Sequence, residues 1–341
     1  MLLGSPFRKE DPESPDRKRQ GFFFQRIKQS VSLSTYMKRK HFKPRESEPA
    51  EARENHFKPR REGNYRPDKD KTIYPKRKKG FVAKMKSVAQ PRPANAAPLQ
   101  KQTGEGLIRL NKYLANAGLC SRREADAFIA AGVVQVNGEV VTLLGYKISP
   151  GDKVQFGGNS VHKEKSVYIL LNKPKGYITT CDDPQERETV MDLIKGVNER
   201  VYPVGRLDRN TSGLLLLTND GDLAKTMMHP RYNVKKLYHA VLDKPLSSVD
   251  YEKIKKGIGL EDGFIKVDEI QYVDGGESNR EIGIEIHSGK NRIIRRIFES
   301  LGYRVDKLDR VLYATLSKKN LPRGKWRFLE ENEVRMLKRI K

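Results

Sequence analysis

The sequence predicts an α+β protein in which two ordered units follow a basic, disordered N-terminal tail. Three observations carry this. Residues 1–106 are rich in Pro, Lys, Arg, Asn and Ser and hold no sustained hydrophobic period, so they cannot bury enough apolar surface to offset the entropy of ordering. From Leu107 two short amphipathic helical patterns precede a set of short β-rich runs. From Val167 onward strands outnumber helices and do not alternate regularly with them, which points to a largely antiparallel, mixed sheet. The boundaries that follow are 1–106, 107–165 and 166–341.

Charge narrows the partners. The chain has 341 residues with 68 Lys+Arg against 43 Asp+Glu, a formal net charge of +25. Such an excess calls for a polyanion, either nucleic acid or an anionic membrane surface. No segment approaches the roughly 20 apolar residues of a membrane span. The start, MLLGSPFRKEDPESPDRKRQ, lacks the apolar core of a signal peptide. The tail shows no amphipathic apolar face, so nucleic acid is the predicted partner and a membrane is not. Two cysteines, Cys120 and Cys181, form no redox or metal motif and fit a reducing, cytoplasmic setting. Six scattered histidines show no ligand spacing, and no metal is expected.

The tail carries 27 Lys+Arg and 12 Asp+Glu and repeats HFKPR at His41–Arg45 and His56–Arg60. A solvated basic tail is the expectation. Its contacts with RNA would run through phosphate, with Phe42, Phe57, Tyr65 and Tyr74 available to stack on bases.

In the first ordered unit, LIRLNKYLANAG places Ile108, Leu110, Tyr113, Leu114 and Ala117 at helical spacing, with Gly118 to cap the end. SRREADAFIAAG follows. Ser121 and Glu124 make a capping box, Ala125, Phe128 and Ile129 a buried stripe, and Gly132 the stop. VVQVNGEVV is two β-rich runs around an Asn-Gly turn, and KISPGDKVQF reads as a further short strand pair. Arg109, Lys112, Arg122 and Arg123 lie off the apolar stripes.

After a linker, VHKEKS at 161–166, VYILLNKPKG is an apolar strand entering a turn. SGLLLLTND is a strand buried on both faces, because a solvated face would alternate. DLAKTMMHP is a short helix ended by Pro230, and KLYHAVL is a strand. REIGIEIHSG alternates, with Ile282, Ile284 and Ile286 on one face. NRIIRRIFESLG is a helix burying Ile293, Ile294, Ile297, Phe298 and Leu301, with Arg292, Arg295, Arg296 and Glu299 toward the other side.

The leucine strand is preceded by GRLDRNT. Asp208 sits between Arg206 and Arg209, on a loop of small residues anchored to a rigid strand. Nearby cations keep a carboxylate ionised, as a nucleophile requires, and catalytic groups collect on loops held by rigid elements. A loop carboxylate paired with a neighbouring arginine is the structural alternative.

Two resemblances sharpen this. RLNKYLANAGLCSRREADAFIAAGVVQVNGEVV resembles the S4 RNA-binding domain, which implies RNA contact through the two-helix face, at Arg109, Lys112, Arg122 and Arg123. GRLDRNTSGLLLLTNDGDLAKTMMHP resembles the motif around the catalytic aspartate of pseudouridine synthases, in the branch named for RsuA, RluB, RluE and RluF. The likeness extends to NKPKG at 172–176, KKLYHAVL at 235–242 and GKNRIIRRIFESLGY at 289–303, and LPRGKWRFL at 321–329 looks RluB-like.

The resemblance implies isomerisation of a uridine in structured ribosomal RNA, most readily of the large subunit. The glycosidic bond moves from N1 to C5 of the base with no net redox change and no group donor, so no cofactor is implied. It casts Asp208 as the catalytic carboxylate, Tyr238 as the tyrosine that packs on the target base, and Arg295 as the basic partner of the aspartate. Arg206 and Arg209 would bind RNA and help flip the uridine. Lys173 and Lys175 would reach phosphate. One departure is Ile293, where many relatives carry glutamine. The expected protein is a monomer, and the competing expectation is a non-catalytic RNA-binding factor of ribosome assembly built on the same fold.

Overall fold

The computed structural model describes residues 106–273 and 277–340. The expected disordered tail, with its HFKPR repeat and aromatics, lies outside the described residues except for Gly106.

The first unit begins with β1 (Ile108–Arg109), α1 (Leu110–Asn116) and α2 (Arg122–Ala130). Gly118 takes the left-handed conformation (φ +75°) just beyond α1, and the Ser121–Glu124 capping box opens α2 with both reciprocal hydrogen bonds made. The strands are β2 (Val134–Val136), β3 (Glu139–Val140), β4 (Lys147–Ile148), β5 (Val154–Phe156) and β6 (Asn159–Ser160), and β2 to β3 turns through Asn137 and Gly138, both at positive φ. The sheet order is β3-β2-β5-β6. The strand pair expected within KISPGDKVQF does not form. β4 pairs instead with β1, and β5 lies between β2 and β6. Burial explains the swap: Ile148 and Val154 both enter the core under the helices with Leu110, Leu114, Ala125, Ile129 and Val134, and separate partners let both do so.

The second unit is a mixed sheet. Its strands are β7 (Tyr168–Lys173), β8 (Tyr202–Pro203), β9 (Ser212–Thr218), β10 (Lys236–Leu242), β13 (Glu269–Tyr272), β14 (Glu281–Ile286), β15 (Val305–Tyr313), β16 (Leu316–Ser317) and β17 (Trp326–Phe328), with a separate β11–β12 hairpin (Ile258–Leu260, Gly263–Ile265). The order is β13-β14-β10-β15-β9-β7-β17, with β16 on β15 and β8 on β9. Every pairing is antiparallel except β15 with β9. The helices are α3 (Gly221–Met228), α4 (Ser248–Lys256), α5 (Ile293–Glu299) and α6 (Glu331–Lys338).

All seven residues of the leucine strand β9 are buried. Leu214 and Leu216 join a core with α3 and Tyr313, and Leu215 and Leu217 join one with Ile169, Leu171 and Leu207. β14 is more buried than its alternation suggests. Gly283 and Glu285, on the face opposite the isoleucines, are buried as well, with Lys235 Nζ 2.7 Å from the Glu285 carboxylate.

β9 shares one edge between two partners. At its start it pairs with β15, at its end with β8, and at the fork Arg310 Nε donates to Leu214 O at 2.7 Å. The crossing demands glycine. At Gly213 (φ +111°) a Cβ would lie 2.3 Å from the Arg310 carbonyl oxygen. The 204–211 loop departs from this fork.

Candidate active site

Asp208 is half-buried on the β8–β9 loop, and backbone around it is tied down at nearly every residue. Thr179 Oγ1 donates to Leu207 O (2.8 Å) and accepts from Leu207 N (3.2 Å). Gly176 N donates to Arg209 O (2.9 Å), Arg209 Nε returns a bond to Gly176 O (3.0 Å), and Thr211 N closes the turn onto Asp208 O (3.0 Å). Beneath the loop lies Lys173, at the end of β7 and fully buried. Its ammonium lies within hydrogen-bonding distance of four carbonyl oxygens, those of Pro174, Asp208, Arg209 and Thr211, at 2.9–3.4 Å. Burial pulls Lys173 down to about 8, and the Asp208 charge works in the opposite direction.

This corrects the expectation that Lys173 reaches phosphate. The side chain turns inward because the loop carbonyls have no ladder partners, and a buried carbonyl left unbonded costs about 1–3 kcal/mol. Lys175, two residues on, is exposed, with Nζ 3.4 Å from Asp306 O.

Arg295 comes to Asp208 from α5. Its Nε lies 3.9 Å from Asp208 Oδ2, and Nη1 donates to Val305 O at 2.7 Å. The arginine side chain is 11 % exposed and the carboxylate 37 %. Burial lowers the Arg295 guanidinium and the Asp208 carboxylate offsets this. The guanidinium is thus fixed by β15, and the carboxylate keeps solvent-facing acceptor capacity. Ile293, the departure from the expected motif, is buried in the core that holds α5 against the sheet. Tyr238 on β10 is half-buried and packs against two cores at once, one containing Leu207 and the other Ile294 and Ile297. In register it lies between Arg310 of β15 and Ile284 of β14. The structure therefore brings Asp208 and Arg295 together and sets Tyr238 against the cores that carry both.

The other expected residues lie further out. Arg206 and Arg209 are exposed. Arg109, Arg122 and Arg123 are exposed on the first unit. Lys112 bridges the two units, its Nζ 2.6 Å from Asp222 Oδ1 at the start of α3, and Arg200 Nη1 donates to Cys120 O at 3.2 Å. Gly213 is one of the small loop residues expected to permit close approach, and the structure shows that the backbone approached is that of Arg310. Nothing in their neighbours marks Thr179 and Arg310, since each acts on backbone that the fold brings from elsewhere in the chain. Among the described residues no cluster of three His, Cys, Asp or Glu side chains is placed to hold a metal, and no helix is long and apolar enough to cross a membrane.

This arrangement has counterparts. Residues 167–300 match the RNA pseudouridylate synthase family and residues 108–154 the S4 domain. An uncharacterised RNA pseudouridine synthase of Aquifex aeolicus is 42 % identical over 232 residues, 67 % of this chain and 93 % of that protein. The chain belongs to the RNA pseudouridine synthase family. The ribosomal large subunit pseudouridine synthase B of Bacillus subtilis is likewise 42 % identical, over 68 % of this chain and 96 % of its own length. A crystal structure of a pseudouridylate synthase superposes with a TM-score of 0.50 at 27 % identity, covering 67 % of this chain and 99 % of that one. As a pseudouridine synthase with an S4 domain the chain is an enzyme that acts on RNA, and both family segments fall within the described fold.

Proposed function

We propose that this synthase isomerises one uridine of ribosomal RNA, in the large subunit, with Asp208 as the group that starts the reaction. The observation that carries the reading is the Asp208–Arg295 pair at 3.9 Å on a loop pinned from below by Lys173. A lone RNA-binding factor has no use for a carboxylate placed beside a buried guanidinium. The ribosomal target is supported by similarity to the Bacillus subtilis protein and by the S4 domain.

In the isomerisation the C1′–N1 bond breaks, the freed uracil turns, and C5 bonds to C1′. C5 gives up its proton and N1 gains one, so atoms and electrons balance within the nucleotide. Asp208 acts on the flipped nucleotide as the bond to N1 breaks. Arg295, 3.9 Å away, keeps that carboxylate aimed, which is a positional contribution. Tyr238, which packs against the core containing Leu207, is the residue that stacks on the base. Arg206, Arg209 and the S4 face at Arg109, Arg122 and Arg123 hold phosphates around the extruded uridine, whereas Lys112 is taken up by Asp222 at the junction of the two units. The enzyme works as a monomer in the cytoplasm.

The test is to map pseudouridine in ribosomal RNA from cells with and without the gene, and then to supply the purified protein and Asp208→Asn. A single large-subunit position should lose its pseudouridine, regain it with the wild-type protein, and stay unmodified with Asp208→Asn, which should bind the RNA as the wild type does. Substantial turnover by the variant removes Asp208 from the chemistry, and an unchanged ribosomal map removes the ribosomal target.

A further inference from the structure

Helix α3 spans the distance between the S4 domain and the catalytic loop. At its first turn Asp222 holds Lys112 of the S4 domain. At its last residue the Met228 thioether accepts a hydrogen bond from Gly205 N at 3.0 Å. Eight residues make a helix of about 12 Å, so α3 and the segment that follows it lie between the S4 domain and the loop, within reach of RNA that contacts both.

That segment is built as a small platform. His229–Tyr232 forms a tight turn, with His229 Nδ1 accepting from Arg231 N at 3.3 Å, and it ends at Asn233 in the left-handed conformation (φ 46°). The Arg231 guanidinium lies 4.9 Å over the Tyr232 ring, and the His229 ring stands edge-on to the same ring at 6.1 Å. Arg231 is exposed and has no carboxylate partner among the described residues. Met228 beside it is 48 % exposed, an apolar side chain left in solvent at the margin of the catalytic loop. The exposed Arg206 follows Gly205 directly.

We infer that Met228, His229, Arg231 and Tyr232 form a stacking site for an unpaired RNA nucleotide adjacent to the target uridine. A flat cation resting on an aromatic ring offers a base its π-face and the neighbouring phosphate a positive charge, the combination that single-stranded RNA recognition uses. The exposed thioether supplies an apolar edge for a base turned out of its stack. A protein partner is disfavoured by the same surface: it carries an unpaired positive charge and only one large apolar side chain, too little for a desolvated protein contact. This inference rests on the RNA-modifying reading above and names where the nucleotide next to the reacting one is held.

The experiment uses the full chain and a large-subunit ribosomal RNA transcript carrying 4-thiouridine. Irradiation should crosslink nucleotides flanking the modified uridine to peptide 228–232. Arg231→Ala should raise KM for the transcript about tenfold while kcat changes less than about threefold, the size of one lost stacking contact. Arg231→Lys keeps the charge but not the flat face, and should restore no more than a small part of that loss. Because Arg231 is exposed, the melting temperature of both variants should stay at the wild-type value. Full rescue by Lys would reduce the site to a point charge and overturn the stacking inference, as would an unchanged KM in Arg231→Ala. If the wild-type protein modifies no ribosomal uridine, it is the ribosomal reading that fails. A fluorescent single-stranded oligouridine then decides the platform separately: weaker binding by Arg231→Ala that Arg231→Lys does not restore upholds it, and equal binding by Arg231→Ala or full rescue by Arg231→Lys removes it.

Discussion

Lys173 shows how much one buried cation can decide. Its charged form satisfies loop carbonyls that have few other donors. Of the four, Pro174 O and Thr211 O have no other backbone donor among the described residues, whereas Asp208 O and Arg209 O also accept from Thr211 N and Gly176 N. The residue titrates near 8 when folded against an ordinary 10.5. Between those values the unfolded chain binds more protons than the folded one, so this residue makes stability rise with pH from about 8 to 10.5, and its burial cost is fully present below 8. Activity should move the other way. Losing the proton leaves fewer donors for the same carbonyls, the loop loosens, and kcat should fall along an alkaline limb with an apparent pKa of about 8. A pH–rate profile of the wild type checks this. Lys236, another buried lysine, is also drawn down to about 8, but it does not touch the loop, so Lys236→Met should leave the limb in place. A profile flat from 7 to 9.5, or a limb abolished by Lys236→Met, would remove Lys173 from control of the loop.

At the scale of elements, the site depends on a fork in the sheet. One edge of β9 serves β15 and then β8, and the catalytic loop leaves from the point where they part. Gly213 makes the close crossing possible: any Cβ there meets both the nitrogen and the carbonyl oxygen of Arg310, and φ is +111°. Gly213→Ala must therefore push β15 away from β9. The cost should be about 3 kcal/mol or more, since a steric clash adds to a strained backbone. For a folded part of this size that is a fall in melting temperature of roughly 6–12 °C. Because β15 also carries Val305, which anchors Arg295, kcat should drop in the fraction that remains folded. Scanning calorimetry with single-turnover kinetics measures both. Wild-type stability in the variant would show that the crossing relaxes without cost.

Across the whole molecule, two domains share one short junction. The Lys112–Asp222 pair is partly exposed, and such pairs contribute about 0–1 kcal/mol, so the S4 domain is held as much by the Arg200–Cys120 carbonyl contact and by α3 as by charge. The basic N-terminal segment is expected to add a separate, sequence-independent contribution to affinity. Its excess of 27 Lys+Arg over 12 Asp+Glu should release counterions on RNA and read no base edges. A chain beginning at Leu107 should modify the same uridine, bind more weakly at low salt, and show a shallower dependence of affinity on salt. Mapping the modified position and titrating affinity across a salt series tests this. A changed position would place specificity in the tail, and an unchanged slope would show that the tail makes no contact with RNA.

Local chemistry was legible in the sequence wherever a few adjacent residues suffice. The Ser121–Glu124 capping box, the Asn137–Gly138 turn, the doubly buried leucine strand and the amphipathic α5 follow from period, turn residues and caps, and all are found where expected. Asp208 and Arg295 were also legible, as residues of motifs, and the fold brings them to 3.9 Å from 87 positions apart. What the sequence could not determine is what depends on distant backbone. Lys173 looks like a solvated turn lysine until carbonyls 35 to 38 residues away close around it. Gly213 is legible as a small residue that permits close approach, but what approaches it, the backbone of β15, is not. The partners of β4 and β5 were decided by which apolar side chains the S4 core could bury together. Each of these is settled by long-range packing and by the need to satisfy buried polar groups, and neither leaves a local pattern in the chain.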